Sequence, residues 1–515
     1  MICLLSNRST PTYNPTEMRL ALRWLAFLLP AIILFLYLYR SNGPSLASLG
    51  AKLPSSSSPQ SQSQSATGAA EDKPHASQSS NTIGEFWQKW SQIIFDARPI
   101  LESPIKLVGG ASTSKPSKPN NPRKPYRDLT RADDADIERL RLSHAQFVAE
   151  LEALKTNGDN QLFHGRGIVM VGGGEYFGPA VIGIHMLRRT GSELPVEVFV
   201  PNESEYEAEI CGGYLPKLNA KCVVLSQFKA QGSPQNPQGL EIEHYQLKAA
   251  ALLLSSFSEV LLLDSDSIPL VEPNKNIFEA EPYLSHGLIT WPDFWGATES
   301  PRFWDIAGLS HFPEKLPPAS SESGQLVINK ETHLASLLLA TYYNMFGPKI
   351  FYPLLSQGAL GQGDKETFMA AAVALNEIHY RVKTPPMSVG RYDGEMQKGT
   401  AIVQYLPLDD LAQSQKSSSG TVRPAFLHSN TPKMNAGHLV DEGDLIAVDG
   451  KSRLRLLGPK SDLEKLFGFD VEDTLWDLLV QTGCELADSI REWKDRDKLC
   501  DRLTEHHKLV FDEAS

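Results

Sequence analysis

Two rhythms of apolar residues run along this chain. From Ile137 to Leu154 they recur every three or four positions (Ile137, Leu140, His144, Phe147, Leu151, Leu154), and Asn157-Gly158 ends the run. That period predicts an amphipathic helix, with His144 on its apolar face as a packed core residue. Beyond it lie short apolar runs: Gly167–Val171, Val196–Val200, Lys221–Leu225, Val260–Leu263 and Gly287–Thr290. Runs this short and this apolar predict strands buried on both faces. A strand with a polar entry is predicted over 322–329. Helices are predicted near 179–188, 205–211, 244–257, 334–343 and 368–375. Strands alternating with helices define an α/β domain.

The N-terminal part reads differently. Leu20 to Tyr39 is apolar and about long enough to span a membrane. Arg8, Arg19 and Arg23 precede or begin it and Arg40 alone closely follows, which favours a cytosolic N-terminus and a lumenal remainder. No small-residue cleavage site follows Tyr39, so a signal anchor is favoured over a cleaved signal peptide. From Ser41 to about Pro125 the chain turns rich in Ser, Pro, Gln and Lys, the composition of a disordered tether. One island interrupts it: Phe86, Trp87, Trp90, Ile94 and Leu101 follow helical spacing and could dock on the main domain or on a partner. The expected division is a cytosolic tail (1–18), a transmembrane anchor (19–40), a stem with a short amphipathic helix (41–130) and a lumenal domain (131–515).

Charge and cysteines narrow the class. The 515 residues carry a formal net charge of -12 and no basic stripe, which argues against a nucleic-acid partner. Of five cysteines, Cys3 falls on the cytosolic side, leaving Cys211, Cys222, Cys484 and Cys500 in an oxidising lumen. Three pairings are possible, and proximity favours Cys211–Cys222 and Cys484–Cys500. Asn202-Glu203-Ser204 is a lumenal glycosylation sequon.

The chemistry gathers where the strand Val260–Leu263 stops at Asp264-Ser265-Asp266. Ligands bind at the carboxyl ends of strands in open α/β sheets. Ionised carboxylates there are expensive without a cation, so Asp264 and Asp266 are candidate ligands of a divalent metal; the alternative is a solvated turn. His428 ends a short strand, with Lys433 five residues on. Imidazole is a normal third ligand for Mn²⁺, and the lysine would balance phosphate charge. Gly172-Gly173-Gly174 follows the first strand and suits a nucleotide, or simply a tight turn, but lacks the dinucleotide spacing. Lys248 is placed to reach a phosphate or to face solvent. Asp293, among the rings of Trp291-Pro-Asp-Phe-Trp295, suits a sugar, with core packing the alternative. Asp364 and Glu366, after Gly361-Gln-Gly363, admit two roles for the pair: Asp364 as helix cap, or both as reacting carboxylates.

Taken together, these segments resemble the fungal Golgi mannosyltransferases that branch N-glycan outer chains and other mannans, especially the α-1,2 type. The resemblance rests on Leu194–Pro201, Leu261–Asp266, Thr290–Trp295, Glu322–Gln325 with Ile328–Lys330, and Gly363–Phe368. It implies a GT-A-type nucleotide-sugar-binding fold with a mixed central sheet, GDP-mannose as donor, Mn²⁺ as cofactor and retention of the α configuration. The residues and the resemblance together give donor binding by Gly172, Gly173, Lys248, Asp264, Asp293 and Gln325, metal binding by Asp264, Asp266 and His428, and catalysis by Asp364 and Glu366 as the expected site. The acceptor would be mannan or an N-glycan, and the enzyme a type II protein of the Golgi membrane. An α-1,3 transferase of the same fold, or an inactive lumenal mannan-binding protein, are the alternative readings. Whether a covalent glycosyl-enzyme forms is left open by the residues.

Overall fold

The computed structural model describes residues 76–512, apart from 113, 117–122, 153, 155–158, 229–239, 241, 395, 417–419 and 442. The expected membrane span Leu20–Tyr39 lies outside the described residues, and among those described no helix is long and apolar enough to cross a membrane.

Helix α1 (Ala76–Asp96) carries the aromatic island of the expected stem, and it does not stand apart. Phe86, Trp87, Trp90 and Ile94 are buried in one core with Phe147 and Phe163. Rings that large have no stable place in water, so this part of the supposed tether belongs to the folded body, which begins well before residue 131. Helix α2 (Asp134–Leu151), capped by Asp133, packs beside it. His144 on α2 is buried, bonded to the Tyr343 hydroxyl at 2.7 Å, and burial pushes its pKa down to about 4.

The central sheet follows in chain order as β1 (Arg166–Val171), β2 (Val196–Val200), β3 (Ala220–Val224) and β4 (Glu259–Leu263), with helix α3 (Phe177–Arg189) between β1 and β2 and α4 (Gln246–Leu254) before β4. A short strand β5 (Ser267–Pro269) then leaves the sheet. Strands β6 (Leu288–Gly296) and β7 (Ala319–Asn329), helices α5 (Lys330–Met345) and α6 (Thr367–Ala374), and the two-residue β8 (Tyr380–Arg381) complete it. The order is β8-β6-β7-β4-β1-β2-β3, and β7 alone runs against its neighbours, so the sheet is mixed. Successive side chains divide between its faces: Ile168, Met170, Leu261 and Leu263 enter one core, Val169, Val260 and Leu262 the other. Burial on both sides accounts for the absence of polar alternation in these strands.

A second, antiparallel sheet joins β5 to β9 (Met387–Asp393), β10 (Met396–Tyr405) and β11 (Pro424–His428) in the order β9-β10-β11-β5. The residue pair His428 and Ser267 closes its register. Helices α7 (Val471–Glu485) and α8 (Leu499–His507) form a C-terminal layer. Disulfides pair Cys211 with Cys222 and Cys484 with Cys500, the pairing that proximity favours. The helix expected near 205–211 is shifted: a 3-10 turn at Glu203–Glu205 is followed by a short π-helix at Glu209–Tyr214.

Candidate active site

The two sheets meet where β4 gives way to β5, and that junction gathers the titratable groups. The Asp264 amide donates to the Gly324 carbonyl on β7, and the Ser429 amide beyond β11 donates to the Asp266 carbonyl. Backbone bonds thus fix both ends of the Asp-Ser-Asp turn, which is why Asp266 and His428, 162 positions apart, come together. His428 Nε2 lies 3.2 Å from Asp266 Oδ1. The ligand atoms of Asp264, Asp266 and His428 all fall within 4.8 Å of one another. Of three such groupings among the described residues, this one alone has a fully buried member. Two carboxylates and an imidazole suit a borderline divalent ion such as Mn²⁺.

Charges at the site are balanced from inside the protein. Lys248 Nζ donates to Asp264 Oδ2 at 2.8 Å and to the Ser323 carbonyl and hydroxyl at 3.3 and 3.2 Å. Burial disfavours its charge, but Asp264 and Asp364 outweigh that and raise its pKa. Lys248 is therefore turned inward, to Asp264, Ser323 and Asp364. Lys433 pairs with Asp266 Oδ2, beside the Tyr176 ring, and is about one-third exposed. Burial opposes ionisation of Asp266, yet His428 and Lys433 prevail and hold it well below the usual carboxylate range. For Asp264 burial wins, with repulsion from Asp266 adding to it, and its pKa rises despite Lys248.

Asp364 sits in a tight turn, Asp364–Glu366, before α6. Its side chain caps neither that turn nor the helix, so the cap reading fails. Its Oδ2 is buried with no hydrogen bond, 3.5 Å from Lys248 Nζ. Glu366 is committed elsewhere: it accepts from the Ser320 hydroxyl (2.5 Å), the Ser321 amide (2.9 Å) and the Ser321 hydroxyl (2.9 Å). A carboxylate so occupied ties the turn before α6 to β7.

The other expected donor contacts divide. Asp293 Oδ2 accepts from Lys365 Nζ at 2.9 Å and burial raises its pKa; Phe294 and Trp295 beside it are half-buried, whereas Trp291 is core, its indole donating to the Tyr405 carbonyl. Gln325 is wholly buried, donating to Glu322 Oε2 at 2.7 Å and accepting from Ser267, so it supports the site from behind rather than facing a donor. Gly172 and Gly173 form the turn after β1. A side chain on Gly172 would meet Val198, and Gly173 has φ of 103°, so packing and backbone require both glycines. Glu322 went unassigned in the sequence, although an acidic residue inside a buried strand was the available signal. It accepts from Gly324, Gln325, Gln404 and His428, and is held down to about 2, chiefly by His428 working against burial.

Comparison with known proteins bears on this arrangement. Residues 165–420 match a family model described as "Mannosyltransferase putative". His428 and Lys433 lie beyond that match. The chain is 33% identical over 441 residues to the α-1,2-mannosyltransferase MNN21 of Candida albicans, covering 73% of this chain and 66% of that one. It is 37% identical over 303 residues to the α-1,2-mannosyltransferase MNN2 of Saccharomyces cerevisiae, covering 52% and 50%. The chain thus spans between half and about two thirds of the length of such relatives. Among solved structures, the glycosyltransferase GlyE of Streptococcus pneumoniae covers 43% of this chain and 45% of its own, at 14% identity and a TM-score of 0.26.

Proposed function

The chain belongs to the family of fungal α-1,2-mannosyltransferases, and from that premise we propose that it is a retaining transferase of GT-A type. It moves mannose from GDP-mannose to the 2-hydroxyl of an α-mannoside on N-glycan outer chains or cell-wall mannan. The reading is carried by one observation: Asp364 presents a buried, unbonded oxygen beside a cluster of Asp264, Asp266 and His428.

In this reading Asp264, Asp266 and His428 would hold Mn²⁺, which would supply positive charge against the diphosphate. Lys433, the lysine at the rim and about one-third exposed, meets the phosphates in place of Lys248. Lys248 keeps Asp264 and Asp364 paired in the absence of substrate, so no buried carboxylate is left uncompensated. The bond from mannose C1 to the phosphate oxygen breaks and a bond to the acceptor oxygen forms, the acceptor proton leaving with the nucleotide. Asp364 supplies the negative charge that an oxocarbenium-like sugar needs on the face opposite the leaving group. The rings of Phe294 and Trp295 beside Asp293 offer an apolar face to a sugar. The apolar segment Leu20–Tyr39 anchors the enzyme in the Golgi membrane with this domain lumenal.

The test is transfer and hydrolysis of GDP-mannose by the purified chain, with and without Mn²⁺ and an α-mannobiose acceptor. Metal-dependent release of GDP that rises with acceptor supports the reading. Tight mannan binding without turnover would make this a lectin-like protein instead.

A further inference from the structure

Glu322 is an expensive residue in its position. It is 7% exposed on a strand buried along almost its whole length, and four donors converge on it. Oε1 accepts from the Gly324 amide at 2.6 Å and lies 3.0 Å from His428 Nδ1. Oε2 accepts from the amides of Gln325 at 2.7 Å and Gln404 at 3.2 Å. The backbone is shaped to allow this: a Cβ on Gly324 would lie 2.5 Å from His428 Nδ1 and 2.7 Å from Glu322 Oε1. Glycine is thus the residue that lets the imidazole and the carboxylate lie against the strand together. The other ring nitrogen, Nε2, faces Asp266.

We propose that Glu322 is a positioning residue for His428: by accepting a hydrogen bond from Nδ1–H it holds Nε2 on the Asp266 side of the ring, where its lone pair would face a divalent cation, and thereby selects an ion that favours imidazole. The proposal rests on the metal reading above. Histidines that bind metals are oriented in this way by a hydrogen bond to the second nitrogen, and losing such a partner typically weakens the metal about 10- to 100-fold. An imidazole ligand favours Mn²⁺ over Mg²⁺, whose preference is for oxygen. Weakening the imidazole should therefore cost Mn²⁺ more than Mg²⁺. Gln325, Gln404 and Gly324 are then the frame that holds Glu322 itself.

The test is Mn²⁺ and Mg²⁺ affinity of the donor-free protein, by electron paramagnetic resonance and competition, in Glu322→Gln, Glu322→Asp and His428→Ala. Glutamine must turn an N–H toward one of the donors that Glu322 satisfies, while aspartate keeps the charge but withdraws it from the ring. Both should weaken Mn²⁺ about tenfold and lower the Mn²⁺-to-Mg²⁺ preference, with His428→Ala at least as severe. A nitrogen-detected spectrum of the wild-type imidazole should show protonation at Nδ1 in the metal-loaded protein. If His428→Ala weakens Mn²⁺ but both Glu322 variants keep the preference, Glu322 is structural only and the inference falls. If His428→Ala leaves Mn²⁺ affinity unchanged, the metal reading itself falls. Should Glu322→Gln fail to fold, the aspartate variant and the wild-type spectrum decide.

Discussion

Lys248 and Asp364 meet in the interior, Nζ to Oδ2 at 3.5 Å, and that carboxylate oxygen has no hydrogen bond of its own. A buried carboxylate oxygen without a hydrogen bond costs stability, which the ion pair with Lys248 offsets only in part. Asp364→Asn should therefore melt close to the wild type, because Asp264 still holds the lysine, and should still bind GDP. Mannosyl transfer should fall by about 10²- to 10³-fold, as when a preorganised charge is withdrawn from a reacting centre. Melting curves, GDP binding and transfer rates on one preparation check this. A variant with most of its transfer rate would place the reacting carboxylate elsewhere.

The two lysines of the site should separate in their effects. Lys248→Met strands Asp264 and Asp364 in the interior, and breaking a buried pair typically costs about 3–5 kcal/mol. Denaturant midpoints should drop accordingly. Lys433→Met, which leaves Asp266 its second partner His428, should lower the midpoint less but raise the KM for donor about tenfold, the worth of roughly one charge-assisted contact. Equal effects on stability and KM in both variants would contradict the division of labour.

Acid stability has a separate source. Burial pushes His144 from an ordinary 6.5 down to about 4, so the folded protein binds fewer protons than the unfolded chain between those values. Stability from this group is full above about pH 6.5 and is lost as pH falls toward about 4, a loss of at most about 3 kcal/mol. His506, also pushed to about 4 by burial, adds in the same window. His144→Gln keeps a hydrogen-bonding group for Tyr343 but cannot titrate. Its urea midpoint should change less between pH 7 and pH 4.5 than that of the wild type.

The C-terminal layer supports the site through one tryptophan. Trp493, between α7 and α8, donates to Asn435 Oδ1 at 2.9 Å, and a Cβ on Gly178 or Gly437 would strike its ring. Asn435 in turn donates to the Glu175 carbonyl, next to Tyr176 and Lys433. The Cys484–Cys500 disulfide ties the two helices around this wedge. Cys484→Ser with Cys500→Ser should cost about 3 kcal/mol and weaken donor binding through the Lys433 loop. Unchanged donor affinity at lowered stability would confine the disulfide to a structural role.

Much of this was legible because strand ends and charge costs are local. Val260–Leu263 running into Asp264 and Asp266 predicts both a buried strand and a site, and β4 ends at Leu263. His428 was legible for the same reason, as a polar residue ending an apolar strand. What was not legible depends on direction in space. Spacing cannot tell whether Lys248 faces out to a phosphate or in to Asp264. Nor does it reveal that Glu366 meets Ser320 and Ser321, which lie 46 and 45 residues away. The aromatic island of α1 was visible as a helix, but its partners Phe147 and Phe163 are set by tertiary packing.

The central claim is that Asp364 and the Asp264–Asp266–His428 cluster together carry retaining transfer from GDP-mannose. Nuclear magnetic resonance of the product made from GDP-mannose and methyl α-mannoside tests it most directly. The account predicts a new α-linked mannose on the 2-hydroxyl, formed only with a divalent ion present and lost in Asp364→Asn. A β-linked product, or unchanged product from Asp364→Asn, would contradict it.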